Sequence, residues 1–168
     1  MKTLKTLSIF VVAAFLSNGA FAQETADVAV SATVEAALVL TPTAVALGTI
    51  QTGAASIIDA NANDDATEAN LGTGASAGSL QITGTSGASV DVSWGNATLD
   101  NGSNPITFTP SVWLGASELT TPAGTSVTLT GGDITIDVGG ALAAPGGTGT
   151  YNTSTGSGSP ITFTVSYN

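Results

Sequence analysis

The sequence predicts an all-β protein, an immunoglobulin-like β-sandwich of about nine short strands. Short segments alternate apolar residues with Thr, Ser or Asp, which is typical of strands with one buried and one solvated face. Gly- and Pro-containing turns separate them at fairly even spacing. Nothing after residue 22 has the periodicity of a helix. These three observations together favour two packed antiparallel sheets.

The longest alternating segment runs from Val28 to Leu40. Its apolar face carries Val28, Val30, Val34, Leu38 and Leu40. At about 3.3 Å per residue it would span roughly 43 Å, longer than the usual strand of about 3–10 residues. Two interpretations remain open: it is the first strand of its own fold, or it is a donor strand that pairs with another copy of the chain.

The remaining strands are shorter, and the sequence places turns between them. Expected strands are Val45–Ile50 with a possible extension through Ala55–Ile58, Leu80–Ile82, Val90–Trp94, Ile106–Phe108, Val112–Leu114, Val127–Leu129, Ile134–Val138 and Ile161–Tyr167. The turn at 84–87 predicts a hairpin, Pro110 punctuates two strands, and Gly139-Gly140 bends or ends another. Residues 59–78 are small and polar and predict a long surface loop.

Residues 1–22 read as a secretory signal peptide, with Lys2 and Lys5 before an apolar run and an Ala20-Phe21-Ala22 cleavage site. The remaining residues, 23–168, fit one domain, and none of their segments is apolar enough to cross a membrane. We therefore expect a secreted protein, located outside the cell or on its surface after passing through the periplasm of a Gram-negative bacterium.

The charge balance excludes several function classes. Both basic residues lie in the signal peptide, so its removal changes the side-chain charge from −10 to −12. The mature chain has no Lys, Arg, His or Cys. Nucleic acid is therefore not an expected partner, because its binding needs basic groups. Triads, Cys nucleophiles and Schiff-base lysines are impossible, and no carboxylate pair is marked by spacing, so the sequence predicts that the protein is not an enzyme.

An acidic stretch within the 59–78 loop suggests a cation ligand set. Asp59, Asn61, Asn63 and Asp65 occupy alternate positions, as oxygen ligands do in the first part of a calcium loop. Asp64 stands where such a loop has Gly, and Asn70 where it has a bidentate Glu. The alternatives are a Ca²⁺ site and a solvated acidic loop.

Trp94 and Trp113 each lie in an alternating segment beside apolar neighbours, which favours core packing. The alternative interpretation is that one of them forms an exposed platform on which a sugar ring stacks.

An ordered set of short motifs resembles a family of small secreted bacterial proteins that carries only an uncharacterised-domain name. The motifs are Leu47–Ile50, Ile82–Thr85 with Ala88–Val90, Val138–Leu142, Gly149–Tyr151 and Val165–Asn168. The family is similar to fimbrial and spore-coat-type subunits. Pilins assembled by chaperones and ushers are a second resemblance, because they too end in an alternating strand with a penultimate Tyr, here Tyr167.

These resemblances imply a pilin-like sandwich and a structural role at the cell surface. The expected function is a subunit of a fimbria or matrix filament, with other copies of itself or related surface subunits as partners. The alternative is an adhesin module that binds carbohydrate or another surface, with calcium as a candidate cofactor.

Overall fold

The computed structural model describes residues 29–168, so the predicted signal peptide and Val28 lie outside the described residues. Residues 35–168 form one compact unit, and residues 29–34 belong to a separate N-terminal unit. In the described part of the chain, no helix is long and apolar enough to span a membrane.

Ten antiparallel strands make up the described fold, so the all-β prediction is confirmed. They are β1 (Val39–Thr43), β2 (Ser56–Ile58), β3 (Gly78–Thr83), β4 (Ser89–Trp94), β5 (Ala97–Leu99), β6 (Ile106–Leu114), β7 (Ser117–Glu118), β8 (Thr125–Thr128), β9 (Asp133–Leu142) and β10 (Phe163–Tyr167). Within residues 29–168 the helical structure is limited to a single 3-10 turn, Thr130–Gly132.

The strands form two sheets. The larger has the order β1-β3-β9-β6-β5, with β2 added to β9 and β7 added to β6, and the smaller has the order β10-β4-β8. The larger sheet curls, and at its β5 end an isolated bridge joins Thr98 to Ser159, shortly before β10 begins. The chain therefore passes from the far end of one sheet directly into the edge of the other.

The main core lies between the two sheets. Its buried side chains are Leu80, Ile82, Val90, Val92, Trp94, Val112, Leu119, Val127, Leu129 and Ile136. Inward residues of β10, namely Phe163, Val165 and Tyr167, are half-buried against it. A second cluster inside the curl contains Ile58, Ala97, Ile106, Phe108 and Leu142. Alternation in the sequence therefore identified the buried face of each central strand correctly.

The predicted long strand from Val28 to Leu40 is much shorter in the structure. Strand β1 begins only at Val39 and continues through Pro42 to Thr43. Residues 29–38 have no ladder partner in the described chain, and a strand forms only where its backbone groups are paired. Val45–Ile50 is also not a strand: Ala46 makes one bridge to Ser76, and Gly48 has a φ of +69°.

Neither Pro110 nor Gly139-Gly140 ends a strand, contrary to the expectation that Pro110 separates two strands. Pro110 lies inside the nine-residue strand β6, and Gly139-Gly140 lies inside the ten-residue strand β9. Pro110 and Gly140 are directly opposite in the ladder. A Cβ at Gly140 would overlap the Thr109 carbonyl oxygen and lie 2.9 Å from the Pro110 Cα, so a glycine is needed where the two backbones approach this closely and both strands continue.

The predicted hairpin across residues 84–87 is not a hairpin. Strand β3 pairs with β1 and β9 in one sheet, and β4 pairs with β10 and β8 in the other. The turn therefore carries the chain from sheet to sheet, which local sequence does not distinguish from a hairpin turn. The long loop after residue 59 is confirmed, with isolated bridges at Ala69 and Ser76 before β3 begins.

Candidate functional site

An apolar groove of about 1000 Å³ opens beside the edge strands β1 and β10. One part of its lining is the segment 42–50, which begins in β1. Another is the start of β10 with Pro160 and Ile161, and inner side chains such as Leu80 and Phe108 contribute between them. None of the described lining residues is charged, although the chain has twelve acidic residues.

The two strands beside the groove are both edge strands. Within residues 29–168, β1 pairs only with β3, and β10 pairs only with β4. Each therefore has one row of backbone N–H and C=O groups without a ladder partner, and such an edge is a template for an added strand. The groove thus has an apolar lining to which two edge strands, one from each sheet, contribute their ends.

The donor-strand candidates divide into two groups. Val30 and Val34 are 91% and 89% exposed, which is unusual for aliphatic side chains on one face of an alternating segment. Leu38 packs against the main core, and Leu40 lies in β1 opposite Ile82. Leu38 and Leu40 therefore contact their own chain, whereas Val30 and Val34 leave apolar surface uncovered.

The C-terminal Tyr167 is tied to the segment that leads into β1. Its hydroxyl accepts a hydrogen bond from the Thr85 N–H at 2.8 Å and donates one to the Ala36 carbonyl at 2.8 Å. The Ala36 N–H donates to Thr85 Oγ1 at 2.7 Å. We call these three residues the Tyr167 latch. The sequence marks Tyr167 only as the penultimate Tyr of the last strand and gives no sign of its partners, which are separated from it by 82 and 131 positions.

The acidic loop is held down by its side chains. The Asn61 Nδ2 donates to Asp137 Oδ2 at 2.8 Å, and its Oδ1 accepts from the Asn63 N–H. Asp64 accepts from the Ala60 N–H and from Ser111 Oγ. Asp64, which stands where a calcium loop has Gly, therefore fixes the loop through its carboxylate, whereas Asp65 is exposed.

The four calcium candidates lie in this loop with different surroundings. Asp59 Oδ1 is buried without a hydrogen-bond partner, and Asp65 is exposed. The Asn61 and Asn63 amides both donate to the Gly115 carbonyl. Within residues 29–168, no cluster of three or more Asp, Glu, His or Cys side chains is placed to hold a metal ion. The Ca²⁺ site stays a prediction.

The two tryptophans have different environments. Trp94 is 9% exposed and packs against Phe163 with ring centroids 6.3 Å apart, so its core assignment is confirmed. Trp113 is half-buried on the outer face of the larger sheet, because its neighbour Val112 points into the core. The Trp113 indole N–H donates to Ser111 Oγ at 2.8 Å. Glu118 and Asp137 are its direct ladder neighbours on either side.

Asp100 is a buried acid that sequence reasoning missed. It is 3% exposed, and its carboxylate accepts hydrogen bonds from the N–H groups of Ser157 and Gly102. The Ser157 hydrogen bond is the main cause that lowers the pKa of the Asp100 carboxyl; burial opposes it, and further backbone hydrogen bonds, including that from Gly102, add to the lowering. Asp100 therefore ties the end of β5 to the segment that leads into β10.

No protein-family model, curated protein or solved structure matches this chain.

Proposed function

We propose that the protein is a secreted structural subunit of a fimbria or matrix filament, in which copies join by β-strand contacts. One observation carries the proposal: the ends of two edge strands line an apolar groove, in a chain whose N-terminal segment exposes Val30 and Val34 on one face. In this proposal the two packed sheets are an immunoglobulin-like, pilin-like β-sandwich, a fold in which an added strand can pair with an open sheet edge.

The chemistry of the groove supports a strand as its occupant. An added strand pairs its backbone with an open edge and places alternate side chains in pockets. Val30 and Val34, with Ala32 between them, lie on one face of an extended chain, and the groove is apolar. Covering exposed valines contributes roughly 1.5–3 kcal/mol for each side chain that becomes fully buried.

The composition of the chain supports a structural role. It offers no nucleophile–base pair and no basic residue after the predicted signal peptide, whereas packing and backbone pairing are abundant. The partners in this proposal are other copies of the chain or related surface subunits, and the setting is the outside of the cell.

Electron microscopy and sedimentation of the purified chain from residue 23 onward test the filament. We expect ordered assemblies that disappear when residues 23–34 are deleted, while thermal unfolding of the shortened monomer stays cooperative. A full-length mature chain that remains strictly monomeric at all concentrations and salt conditions would contradict the proposal.

Trp113 favours a second candidate function, an adhesin module that binds carbohydrate. Its half-exposed indole on an outer sheet face, flanked by Glu118 and Asp137, offers a stacking surface beside groups that accept hydrogen bonds from hydroxyls. Tryptophan fluorescence separates the candidates: glycan binding should alter the emission of Trp94→Phe, which retains Trp113, and leave Trp113→Phe unchanged. Emission that no glycan alters in either variant leaves Trp113 as a packing residue.

A further inference from the structure

We infer that the Tyr167 latch directs the N-terminal segment, residues 29–34, into the groove of a second copy and away from the groove of its own chain. The inference rests on the proposed function, because it concerns the partner of the same groove.

The latch fixes both backbone groups of one residue. The Ala36 N–H is held by Thr85 and the Ala36 carbonyl by Tyr167. Leu38 packs close by over Gly84, where an added Cβ would lie 2.9 Å from the Leu38 Cδ2. The chain path from Ala36 into β1 is therefore set by hydrogen bonds and by packing.

The latch and the groove lie at opposite ends of β1. Val39 pairs with Thr83, next to the latch residue Thr85, whereas the groove lining begins at Pro42 near the other end. Six residues of extended chain between Ala36 and Pro42 span about 20 Å. To occupy its own groove along the open edge of β1, the N-terminal segment must reverse direction before Ala36 and run back along that strand.

The sequence disfavours that reversal. Residues 28–40 contain no Gly, Pro, Asn or Asp, the residues that tight hairpin turns require. Ala36 cannot take part in the turn, since both its backbone groups are engaged in the latch. A segment from a second copy meets neither restriction and can enter the groove in whichever direction the edges accept.

The distribution of charge also favours contact between copies through the N-terminal segment and the groove over contact through other surfaces. Two chains with twelve acidic residues each repel one another over most of their surfaces. Residues 28–34 are uncharged, and so are the described residues that line the groove. Joining these two surfaces brings no acidic side chain of either surface against the other.

Cysteine crosslinking distinguishes the two partners, because the native chain has no cysteine. Val30→Cys marks the N-terminal segment, and Thr150→Cys marks an exposed position of the groove lining. A short bismaleimide is added to a mixture of the two single variants, where only contacts between copies can react. The same reagent is added to the double variant at low concentration, where contacts within one chain are favoured.

We expect crosslinked dimers in the mixture and little internal crosslink in the double variant. Tyr167→Phe removes the hydroxyl and with it two hydrogen bonds. In the double variant it should raise the internal share, which is the fraction of crosslinks that form within one chain, about tenfold. Ser166→Ala, an exposed change in the same strand, is the matched control and should leave the share unchanged. Cooperative unfolding of each variant verifies that it folds.

Internal crosslinks that dominate with Tyr167 intact, or an internal share that Tyr167→Phe does not alter, overturn the inference. Absence of both products overturns it as well, even where sedimentation still shows assemblies. Sedimentation of the unmodified chain reports on the filament separately, so failure of the latch and failure of the proposed function give different results.

Discussion

The N-terminal segment and strand β10 have the same period-two pattern in sequence and different structures. Val165 alternates with exposed residues and pairs with Val92 along the edge of β4. Val34 has an equivalent pattern around it, yet it is 89% exposed and outside every strand of the described chain. The difference lies in the partner: β10 has β4 beside it, and the N-terminal segment has none within residues 29–168.

The comparison teaches what alternation does and does not specify. It specifies which side chains share a face once the backbone is extended. It does not specify where the backbone hydrogen bonds go, and those decide whether a strand forms. In the proposed function the N-terminal segment pairs with another copy of the chain, so identical substitutions in the two segments should have different effects: one on the stability of the monomer, the other on assembly.

The largest expected effect on the monomer comes from Val165→Asp. The substitution places a carboxylate against the main core, where no basic residue of the mature chain can compensate it. We expect a loss of roughly 2–4 kcal/mol in the free energy of unfolding. Urea titration followed by tryptophan fluorescence measures it, and Thr164→Ser on the exposed face is the control. A loss no greater than that of the control would contradict the packing of β10.

Val34→Asp should leave the monomer intact and abolish its assembly. At an exposed position the expected change in unfolding free energy is within about 0.5 kcal/mol. Sedimentation should instead show that assemblies are lost, because a charge enters the apolar groove of the neighbouring copy. If the unfolding transition of the monomer itself collapses, residues 28–34 belong to their own fold and the donor-strand interpretation is wrong.

Asp100→Asn tests how much the Asp100 carboxylate stabilises the segment that leads into β10. The N-terminal segment has no such anchor within residues 29–34. Because the folded pKa lies below the ordinary value of 3.8, the carboxylate stabilises the fold above that pH, and the stabilisation disappears as the pH falls through the lowered value. We expect Asp100→Asn to melt at a lower temperature than the unmodified chain at pH 7. The gap should narrow below about pH 3.8. A gap that is constant with pH would contradict the role of the charge.

The acidic loop is intermediate between β10 and the N-terminal segment, because side-chain hydrogen bonds hold it in place and no strand ladder of the described chain does. Asp64→Ala removes the hydrogen bonds that the carboxylate accepts from Ala60, Ala66 and Ser111 and should lower the free energy of unfolding by about 1 kcal/mol, whereas exposed Asp65→Ala should leave it nearly unchanged. Thermal melts measure both variants. The same melts in millimolar calcium and in excess chelator decide between the two interpretations of this loop, because a bound ion raises the melting temperature and a solvated loop leaves it unchanged.

Much of the architecture could be predicted from the sequence, since buried positions such as Ile82, Val92 and Ile136 follow strict alternation. Sheet membership could not, because the turn at 84–87 looks the same whether it joins neighbours or crosses between sheets. The position of Pro110 inside a strand could not be predicted for a related reason: Gly140, its ladder partner, lies 30 positions away and is adjacent only in the fold.

Of the candidate site, the N-terminal segment was predictable from the sequence and the groove was not. Composition and alternation marked Val28, Val30 and Val34 as a segment that could pair elsewhere. The groove was not visible, because its lining comes from strands scattered between residues 42 and 163. The anchoring role of Tyr167 and the burial of Asp100 depend likewise on contacts between distant segments, which a single sequence does not record.

The latch also has a mechanical meaning. In a filament joined through the N-terminal segment, tension on one subunit enters at Ala36 and reaches the start of β1 and, through the Tyr167 hydroxyl, the end of β10. The neighbour's segment pulls on the groove at the other ends of these same two strands. The load therefore runs lengthwise along β1 and β10, so their ladders with β3 and β4 are sheared as a whole and do not open one hydrogen bond at a time.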